Sequence, residues 1–302
     1  MRVVVALGGN ALLERTEQPE AEVQEHHVLA AVAALAPIAE HHQLLVTHGN
    51  GPQVGILANE SAGDPALRRP YPLDVLGAQT QGMIGYWLLQ ALENALPGRN
   101  VAAVLTQTVV DPADPGFAAP SKFVGGSYDQ KTAAALGSSR GWQFRLDERG
   151  WRRVVPSPDP VDVVELPIVR SLLERGAVVV CGGGGGIPVA RDASGRAHGV
   201  EAVVDKDLTA ALLAVRLEAD ALLILTDVAG VEHGHGTAAA QVIAKASVSE
   251  LRARSYPAGS MGPKVVAACR YVEATGGLAA IGPLDRAPDL LDGRAGTTVV
   301  PG

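Results

Sequence analysis

Short apolar runs, rich in β-branched residues and ending in turn residues, recur along this chain of 302 residues and constrain its fold most. They cover residues 3–7, 44–47, 101–106, 177–181, 222–226 and 279–281. Such continuous runs are typical of parallel strands that are buried on both faces of a sheet. Helical patterns lie between them at 23–39, after an expected N-cap at Asp74, at 208–217 and at 265–275. The alternation predicts an α/β fold with a mainly parallel central sheet that helices cover on both faces.

The alternation breaks between about residues 111 and 160, where Pro, Gly, Asp and Ser are frequent. A disordered linker is one interpretation, but Trp142, Phe144 and Trp151 are spread through the stretch and argue against it. We therefore predict an inserted lid subdomain at about 111–160. An N-terminal lobe of residues 1–170 would include this lid, and a C-terminal lobe would follow at 171–302.

The distribution of charge and cysteine excludes several classes of protein. The formal net charge of −7 comes from interspersed acidic and basic residues without a basic stripe, so we expect no nucleic-acid partner. The first residues lack the features of a signal peptide, and no apolar run reaches the ~20 residues of a membrane helix. Cys181 and Cys269 do not suggest a disulfide framework. These features predict a cytoplasmic protein without a membrane partner.

Three glycine-rich turns follow predicted strands, namely Gly8-Gly9-Asn10, Gly49-Asn50-Gly51 and the run at 182–186. Glycines at the end of a strand let backbone N–H groups point at an anion, and a following helix adds its dipole. Ordinary turn chemistry explains one such turn equally well. Three together indicate a site for a phosphate or carboxylate at the C-terminal edge of the sheet. None of the turns matches the Rossmann or P-loop fingerprint, so neither of those enzyme classes is favoured.

Lysine is rare in this chain, because only five of its 25 basic residues are Lys. Three of the five lie in motifs: Lys122 in the predicted lid, Lys206 beside Asp207 before a helix, and Lys264 after a Gly-rich turn. Compact ammonium groups suit phosphoryl transfer, which needs positive charge and positioning. Alternatively, Asp207 is a helix N-cap and Lys206 a solvated charge. The residues alone leave both interpretations open.

Other polar residues near the predicted turns also have two interpretations. Thr226-Asp227 follows a predicted strand, where it either contacts a nucleotide or forms a turn. His48 is a candidate general base, but a structural histidine that bonds nearby backbone is the simpler interpretation. His233 and His235 lie in a Gly-rich loop that offers no further ligand, so we predict no metal site built by the protein. No Ser lies in a Gly-x-Ser-x-Gly nucleophile elbow.

Taken in order, the motifs resemble those of the carbamate kinases of the amino acid kinase superfamily over nearly the whole chain. Two long blocks are highly specific to that family: Thr47-His48-Gly49-Asn50-Gly51-Pro52-Gln53 and Gly259-Ser260-Met261-Gly262-Pro263-Lys264. Further matches lie at 7–12, 72–74, 81–86, 152–158, 182–188, 199–207 and 226–228.

The resemblance implies an open three-layer αβα sandwich with two lobes and a small protruding subdomain, assembled as a homodimer. It implies a phosphotransferase with a carboxyl acceptor, which converts ATP, ammonia and CO2 reversibly into ADP and carbamoyl phosphate. The usual benefit of that reaction is ATP formation, within arginine metabolism. The N-terminal lobe would hold carbamate or carbamoyl phosphate, and the C-terminal lobe would hold ATP or ADP with Mg²⁺.

The resemblance also implies residue roles at matching positions. The carbamoyl and phosphoryl groups would lie against six residues: Gly8, Gly9, Asn10, Gly49, Asn50 and Gly51. Lys206 and Lys264 would neutralise the transferring phosphoryl group, Asp207 would organise these lysines, and Lys122 would reach in from the lid. Four residues would line the nucleotide, namely Thr226, Asp227, Met261 and Gly262, and Lys206 and Lys264 would bind it as well.

The sequence departs from the family pattern in two places, the loop after Lys122 and the position of Glu232. The family usually has Pro-Ile-Gly-Pro after the lid lysine, whereas this chain has Phe123-Val124-Gly125-Gly126. Losing two prolines predicts a more mobile lid loop. The family usually has Tyr where this chain has Glu232, so stacking on the adenine is not expected there.

Two rival functions remain at this point. One is another amino acid kinase that acts on a different carboxylate or phosphate, which the block at 47–55 disfavours. The other is a catalytically weakened protein that binds a nucleotide or carbamoyl phosphate. The presence of Lys206, Asp207 and Lys264 disfavours it.

Overall fold

The apolar runs form strands in the computed structural model, which describes residues 1–14, 17–234, 240–257 and 259–302. Along these residues the strands are, in chain order, β1 (Arg2–Leu7), β2 (Gln43–His48), β3 (Val101–Ala103), β4 (Gln107–Val110), β5 (Lys122–Tyr128), β6 (Gln143–Asp147), β7 (Gly150–Val155), β8 (Pro160–Val163), β9 (Val178–Val180), β10 (Ile187–Arg191), β11 (Ala197–Gly199), β12 (Ala221–Thr226), β13 (Glu232–His233), β14 (Gln241–Val242), β15 (Lys245–Ser247), β16 (Leu278–Pro283) and β17 (Thr297–Val300).

The helices alternate with these strands. They are α1 (Ala21–His41), α2 (Gly51–Gly63), α3 (Leu73–Ala95), α4 (Gln130–Arg140), α5 (Leu166–Glu174), α6 (Lys206–Arg216), α7 (Val248–Arg252), α8 (Met261–Thr275) and α9 (Ala287–Leu291). Within the described ranges, no helix is long and apolar enough to cross a membrane.

Eight of the described strands form the central sheet, in the order β15-β17-β16-β12-β1-β2-β9-β3. Neighbouring strands are parallel in every pair except β16–β17, which is antiparallel. A mainly parallel central sheet was the prediction, and it is confirmed.

Alternate residues of the central strands face opposite helical layers, as the period of a strand requires. On one face, Val4 and Ala6 of β1 belong to a buried cluster with side chains of α5, α6, α7 and α8. On the other face, Val3, Val5 and Leu7 belong to a cluster with side chains of α1, α3 and α9. These strands are apolar throughout because both of their faces are buried, which confirms the three-layer αβα architecture.

The predicted strand at 101–106 ends earlier than its sequence suggests. β3 stops at Ala103, and the chain then crosses to a second sheet with the strand order β11-β10-β4-β8. The Gln81 side chain bonds both backbone groups of Thr106, at 2.8 Å to its N–H and 3.2 Å to its carbonyl oxygen. The Gln81 amide makes the hydrogen bonds that a neighbouring strand would otherwise make. The backbone at Thr106 therefore leaves the central sheet with both of its polar groups bonded.

The region of the predicted lid contains a three-stranded antiparallel sheet in the order β5-β7-β6, together with α4. Its aromatic residues pack on one another, since the Phe144 ring lies 5.7 Å from that of Tyr128 and 6.5 Å from that of Trp142. The Arg152 guanidinium lies 5.0 Å from the centre of the Phe123 ring, where the family usually has proline. Greater mobility of this loop stays a prediction, as does the division into residues 1–170 with a lid at 111–160 and residues 171–302.

Two helix starts differ from expectation. α3 begins at Leu73 after Pro72, and Asp74 lies in its first turn rather than at the N-cap. α6 begins at Lys206 and is capped by Asp205, whose carboxylate accepts a 2.9 Å hydrogen bond from the N–H of Asp207. Asp205 has the extended backbone that an N-cap needs, whereas Asp207 is already helical, so the N-cap interpretation of Asp207 is wrong.

Candidate active site

The candidate residues lie at the carboxyl ends of three adjacent strands. Gly8, Gly9 and Asn10 follow β1, Gly49 to Gly51 follow β2, and Thr226 and Asp227 lie at the end of β12. β1 lies between the other two strands, with Leu7 opposite His48 and Ala6 opposite Ile224. The sheet therefore brings the predicted acceptor and nucleotide residues to one edge.

The first two glycine turns touch each other. The N–H of Gly49 donates to the carbonyl of Leu7 at 3.0 Å, and a Cβ on Gly49 would lie 2.7 Å from the Cα of Gly9. A Cβ on Gly8 would lie 3.1 Å from the carbonyl oxygen of Leu225. Glycine is required at Gly49 because the backbones approach too closely for any side chain.

α2 begins directly after the second turn, at Gly51, and Pro52 occupies its first turn. Its N-cap residue, Asn50, makes no capping hydrogen bond with its side chain. The free N–H groups and the positive end of the helix dipole therefore face the position of the two turns, which favours an anion there.

The side chain of Asn50 is instead held by α3. Its amide donates to Thr80 Oγ1 at 2.8 Å, and this hydroxyl donates to the carbonyl of Gly77 at 2.8 Å. Asn50 and Thr80 are both buried. This chain of hydrogen bonds fixes the second turn against the helix behind it.

Asn10 bonds across the site to the loop after β12. Its amide donates to Asp227 Oδ2 at 2.8 Å, and Thr226 Oγ1 donates to the other carboxylate oxygen at 3.1 Å. The hydrogen bond from Asn10 is the main cause that holds the pKa of Asp227 below its usual value, with a smaller contribution from the charge of Lys264. Asp227 is therefore anionic at neutral pH, and it connects the first glycine turn to the predicted nucleotide residues.

Lys206 and Lys264 share one carboxylate, that of Asp207. Lys206 Nζ bonds Asp207 Oδ1, and Lys264 Nζ lies 3.2 Å from Asp207 Oδ2. All three groups are largely buried, with side-chain exposures of 12% for each lysine and 5% for the aspartate. α6 supplies Lys206 and Asp207 from its first turn, and α8 supplies Lys264 from its own. The two helix starts thus bring together three residues that lie up to 58 positions apart.

Burial and charge act against each other in this cluster. Burial lowers the pKa of Lys206 to about 8, although the Asp207 carboxylate opposes the shift, and the charge of Lys264 lowers it further. Burial alone would raise the pKa of Asp207, but the two lysines outweigh it and lower that pKa to about 2. At neutral pH Lys206 is therefore mostly protonated and Asp207 is ionised.

Lys122 reaches the same edge from β5, in the predicted lid. Its ammonium group bonds Asp205 Oδ2, and Asp205 is also the N-cap of α6. The Lys122 side chain is one-third exposed, while that of Asp205 is buried. The lid lysine thus lies beside the residues that precede Lys206.

His48 is buried beside these groups and does not have the properties of a general base. Its Nδ1 lies 2.9 Å from the carbonyl oxygen of Gly49, which confirms the structural interpretation. Burial lowers its pKa to about 4, and the charge of Lys206 adds to the shift. The imidazole is therefore neutral at pH 7.

The third glycine run, at 182–186, is packed against the acceptor side of the site. Cβ atoms would lie 2.3 Å from His48 Nε2 at Gly183, 2.2 Å from Asn50 Nδ2 at Gly184, and 1.9 Å from Thr108 Oγ1 at Gly186. All five glycines are buried. Their absence of side chains is thus explained by packing behind His48 and Asn50, without a ligand.

The remaining predicted nucleotide residues lie at the start of α8. Met261 begins the helix and packs against the core, and a Cβ on Gly262 would lie 3.1 Å from the carbonyl oxygen of Pro257. Glu232 lies in the short ladder of β13 and β14. His233 is exposed, while His235 lies outside the described residues.

A cleft of about 800 Å³ lies at the opposite end of the sheet. Its basic residues include Arg2 and Arg99, which bond the carbonyls of Leu217 and Ala39 near the ends of α6 and α1. Arginines at these positions satisfy the last carbonyls of helices. We therefore assign a structural role to these arginines of the cleft.

The residues at the carboxyl edge fit a metal ion that arrives with a nucleotide. Mg²⁺ usually keeps several waters and binds phosphates together with one or two carboxylates. Among the residues that the structure describes, no three His, Cys, Asp or Glu side chains could hold a metal ion. Asp227 is an exposed, anionic carboxylate at the edge, and it is the side chain that suits such an ion best.

Several residues at the site were missed in the sequence. Asp205 holds Lys122, Thr80 holds Asn50, and Gln81 bonds the carbonyl of Gly183 at 3.0 Å in addition to Thr106. Only Asp205 had a usable signal, because it directly precedes Lys206. The other contacts join segments that are far apart in the chain.

Known proteins resemble this chain over its whole length. The model of the amino acid kinase family matches residues 1–281. A carbamate kinase of Rhizobium meliloti (strain 1021) is 52% identical over 303 residues, which cover 99% of this chain and 93% of that protein. A carbamate kinase of Escherichia coli (strain K12) is 46% identical and covers 98% of both chains. The solved carbamate kinase of Giardia lamblia bound to AMP-PNP is 38% identical, with a TM-score of 0.91 over 100% of this chain and 98% of that one.

Proposed function

The chain belongs to the carbamate kinases of the amino acid kinase family, and from that premise we propose that it transfers a phosphoryl group reversibly between ATP and carbamate. The favoured direction of use makes ATP from ADP and carbamoyl phosphate. The observation that carries the proposal is the contact of Asp207 with both Lys206 and Lys264. Lys206 lies close enough to affect the pKa of His48, beside Gly49, and Lys264 affects that of Asp227, which bonds Asn10.

In the direction of ATP formation, a β-phosphate oxygen of ADP attacks the phosphorus of carbamoyl phosphate. The bond between this phosphorus and the carbamoyl oxygen breaks, and carbamate leaves with the electron pair. The transferring phosphoryl group passes between the two lysines. Their preorganised positive charges stabilise the negative charge on its oxygens. Asp207 fixes the lysines while leaving a net positive charge for the phosphoryl oxygens.

No proton has to move in this step, because carbamate and ADP both react through anionic oxygens. A general base is therefore not required, and the buried, neutral His48 is not needed as one. Catalysis then rests on alignment and electrostatics.

Each predicted residue keeps a proposed role. The carbamoyl and phosphoryl groups lie against the two touching turns, made of Gly8, Gly9, Asn10, Gly49, Asn50 and Gly51. Lys122 approaches from the lid. The nucleotide is lined by Thr226, Asp227, Met261 and Gly262, and Mg²⁺ enters with its phosphates, where it would neutralise their charge.

The test is ATP formation from ADP, Mg²⁺ and carbamoyl phosphate, followed by luciferase luminescence. One control omits the protein and corrects for the spontaneous decay of carbamoyl phosphate, and another omits carbamoyl phosphate. ATP above both controls is expected, and ATP no higher than the controls would contradict the proposal. Acetyl phosphate in place of carbamoyl phosphate should give much less ATP.

A homodimer and a cytoplasmic location complete the proposal. The dimer is tested by light scattering on a size-exclusion column, where a mass of twice 31.1 kDa is expected. A mass of 31.1 kDa at micromolar concentration would contradict it.

A further inference from the structure

The lid packs on α2 and α3 through Val124 and Val155, and it is also docked on the segment 201–205, which directly precedes α6. Three contacts join this segment to the lid: Lys122 with Asp205, Arg153 with Glu201, and Pro156 with Val203. Two of them are ion pairs, and the third is a 2.9 Å hydrogen bond from the N–H of Val203 to the carbonyl of Pro156. Lys206 and Asp207 directly follow this segment. The lid is therefore attached next to the residues that form the lysine–aspartate contacts of the candidate active site.

The ion pair between Arg153 and Glu201 is held from several sides. Arg153 Nη2 lies 2.5 Å from Glu201 Oε1, and the Arg153 side chain is only 10% exposed. Its guanidinium also lies 4.1 Å from the centre of the Trp142 ring. The second oxygen of Glu201 accepts a 2.9 Å hydrogen bond from the N–H of Leu73, the first residue of α3. Glu201 therefore joins the lid to a long helix of the central fold.

The strand register carries this attachment to Lys122. Arg153 of β7 lies opposite Val124 of β5, two residues from Lys122, which itself lies opposite Val155. The ion pair of Arg153 thus adds to the packing of Val124 and Val155 in fixing the strand from which the lid lysine extends. Lys122 can then change its own partner without release of the lid.

We propose that Glu201 and Arg153 are positioning residues, which hold β5 and β7 in place while Lys122 exchanges Asp205 for the phosphoryl group of the substrate. Arg153 is stacked and buried, and its partner Glu201, although about half exposed, is also held by the N–H of Leu73. Lys122 is one-third exposed and has Asp205 as its only carboxylate contact among the described residues. This inference rests on the proposed function for its catalytic consequence, but the position of the lid can be measured without turnover.

The first test measures a distance between the lid and the central fold by double electron–electron resonance. Spin labels are attached at Leu146→Cys in β6 and Leu29→Cys in α1, two exposed positions, while both native thiols are buried. When the labelled chain is diluted with an excess of unlabelled protein, which suppresses distances between protomers of the proposed dimer, one narrow distance distribution is expected in this parent. Glu201→Ala should broaden it, and Arg153→Lys, which keeps the charge but loses the planar fork, should broaden it less.

The matched control is Glu273→Ala, which removes an Arg–Glu pair of the same kind, formed with Arg252 away from the lid. It should leave the distribution unchanged. An unchanged distribution in Glu201→Ala would overturn the proposal. If Glu201→Ala fails to fold, the Arg153→Lys variant decides instead. A broader distance distribution supports the proposal, and an unchanged one overturns it.

The second test separates positioning from general damage. Glu201→Ala should lower kcat/KM for carbamoyl phosphate about 10- to 100-fold, because a small misplacement of a reacting group is costly. The KM for ADP should stay unchanged, and Glu201→Gln, whose single oxygen can accept from Arg153 or from Leu73 but whose NH2 group cannot replace the second acceptor, should restore only part of the rate. Equal losses for both substrates would overturn the proposal. A parent protein that forms no ATP would instead refute the proposed function, and the distance measurement would still decide the position of the lid.

Discussion

Replacing Lys264 by Ala removes one of the two ammonium groups that contact Asp207, and it should change both the rate and its dependence on pH. One cation fewer then faces the transferring phosphoryl group. Removal of a single preorganised group of this kind typically costs about 10²- to 10³-fold in kcat. We expect a loss of that size, with the fold intact.

The pH dependence follows from the environment of Lys206. Its pKa of about 8 lies below the ordinary 10.5 because of burial and the neighbouring charge of Lys264, with Asp207 acting in the opposite direction. A shift of this size corresponds to a cost of about 3 kcal/mol for the charged form. Deprotonation of Lys206 should therefore limit kcat/KM above about pH 8 in the wild type. Without Lys264 the pKa of Lys206 rises, so this limb should move to higher pH.

The assay is ATP formation between pH 6 and 10, corrected at each pH for the decay of carbamoyl phosphate. Lys245→Ala is the matched control, since Lys245 is an exposed lysine on β15, and its profile should equal that of the wild type. Circular dichroism and the thermal midpoint show whether each variant is folded. A folded Lys264→Ala protein with a wild-type rate, or with an alkaline limb at or below that of the wild type, would refute the reasoning.

Three further predictions concern other parts of the molecule. Lys206→Arg should lose most of its turnover, because a planar guanidinium does not reproduce a buried point charge; an unchanged kcat would contradict this. Gly184→Ala should lower the free energy of unfolding in urea by about 1–3 kcal/mol, because its Cβ would lie 2.2 Å from the Asn50 amide and its φ is +65°. Gly63→Ala, with open space around its Cβ, is the control and should not be destabilised. Thiol reagents at pH 8 should leave activity intact, because burial raises the pKa of Cys181 to about 12 and the second thiol is also buried; rapid inactivation would contradict this.

The strands of the central sheet were predictable because their physical requirement is local. A run such as 3–7 has no polar face, so it must be buried on both sides, and its neighbours along the chain are helices of the length that a parallel crossover needs. The sequence also predicted that the turns at Gly8 and Gly49 lie close together, because parallel strands place their carboxyl ends at one edge of the sheet.

Contacts between distant segments were not predictable. Asp74 has the right residue type for an N-cap of α3, yet the N–H of Leu73 is bonded by Glu201, 128 residues away. The end of β3 depends on the Gln81 side chain, which no local pattern reveals. In both places the expected local hydrogen bond is replaced by a hydrogen bond to a side chain that is distant in the sequence and close only in the folded protein.

The glycine run at 182–186 shows a different limit of sequence analysis. Glycine is required wherever a backbone approaches a ligand, and equally wherever it approaches another part of the protein. The sequence cannot distinguish these two demands. In the structure the space over Gly183 and Gly184 is taken by His48 and Asn50, so packing explains the run.

The same packing limits how this chain can change in evolution. A side chain at Gly183 needs a smaller residue in place of His48, and one at Gly184 or Gly186 needs a smaller Asn50 or Thr108 and is still strained by the positive φ of its backbone. Two of these partners belong to the second glycine turn or adjoin it, so each compensating substitution would alter the proposed acceptor site. A single substitution in the run at 182–186 is expected to lower the stability of the protein, and a paired substitution is expected to reshape the proposed acceptor site. Sequence change in this run should therefore accompany a change of the acceptor substrate.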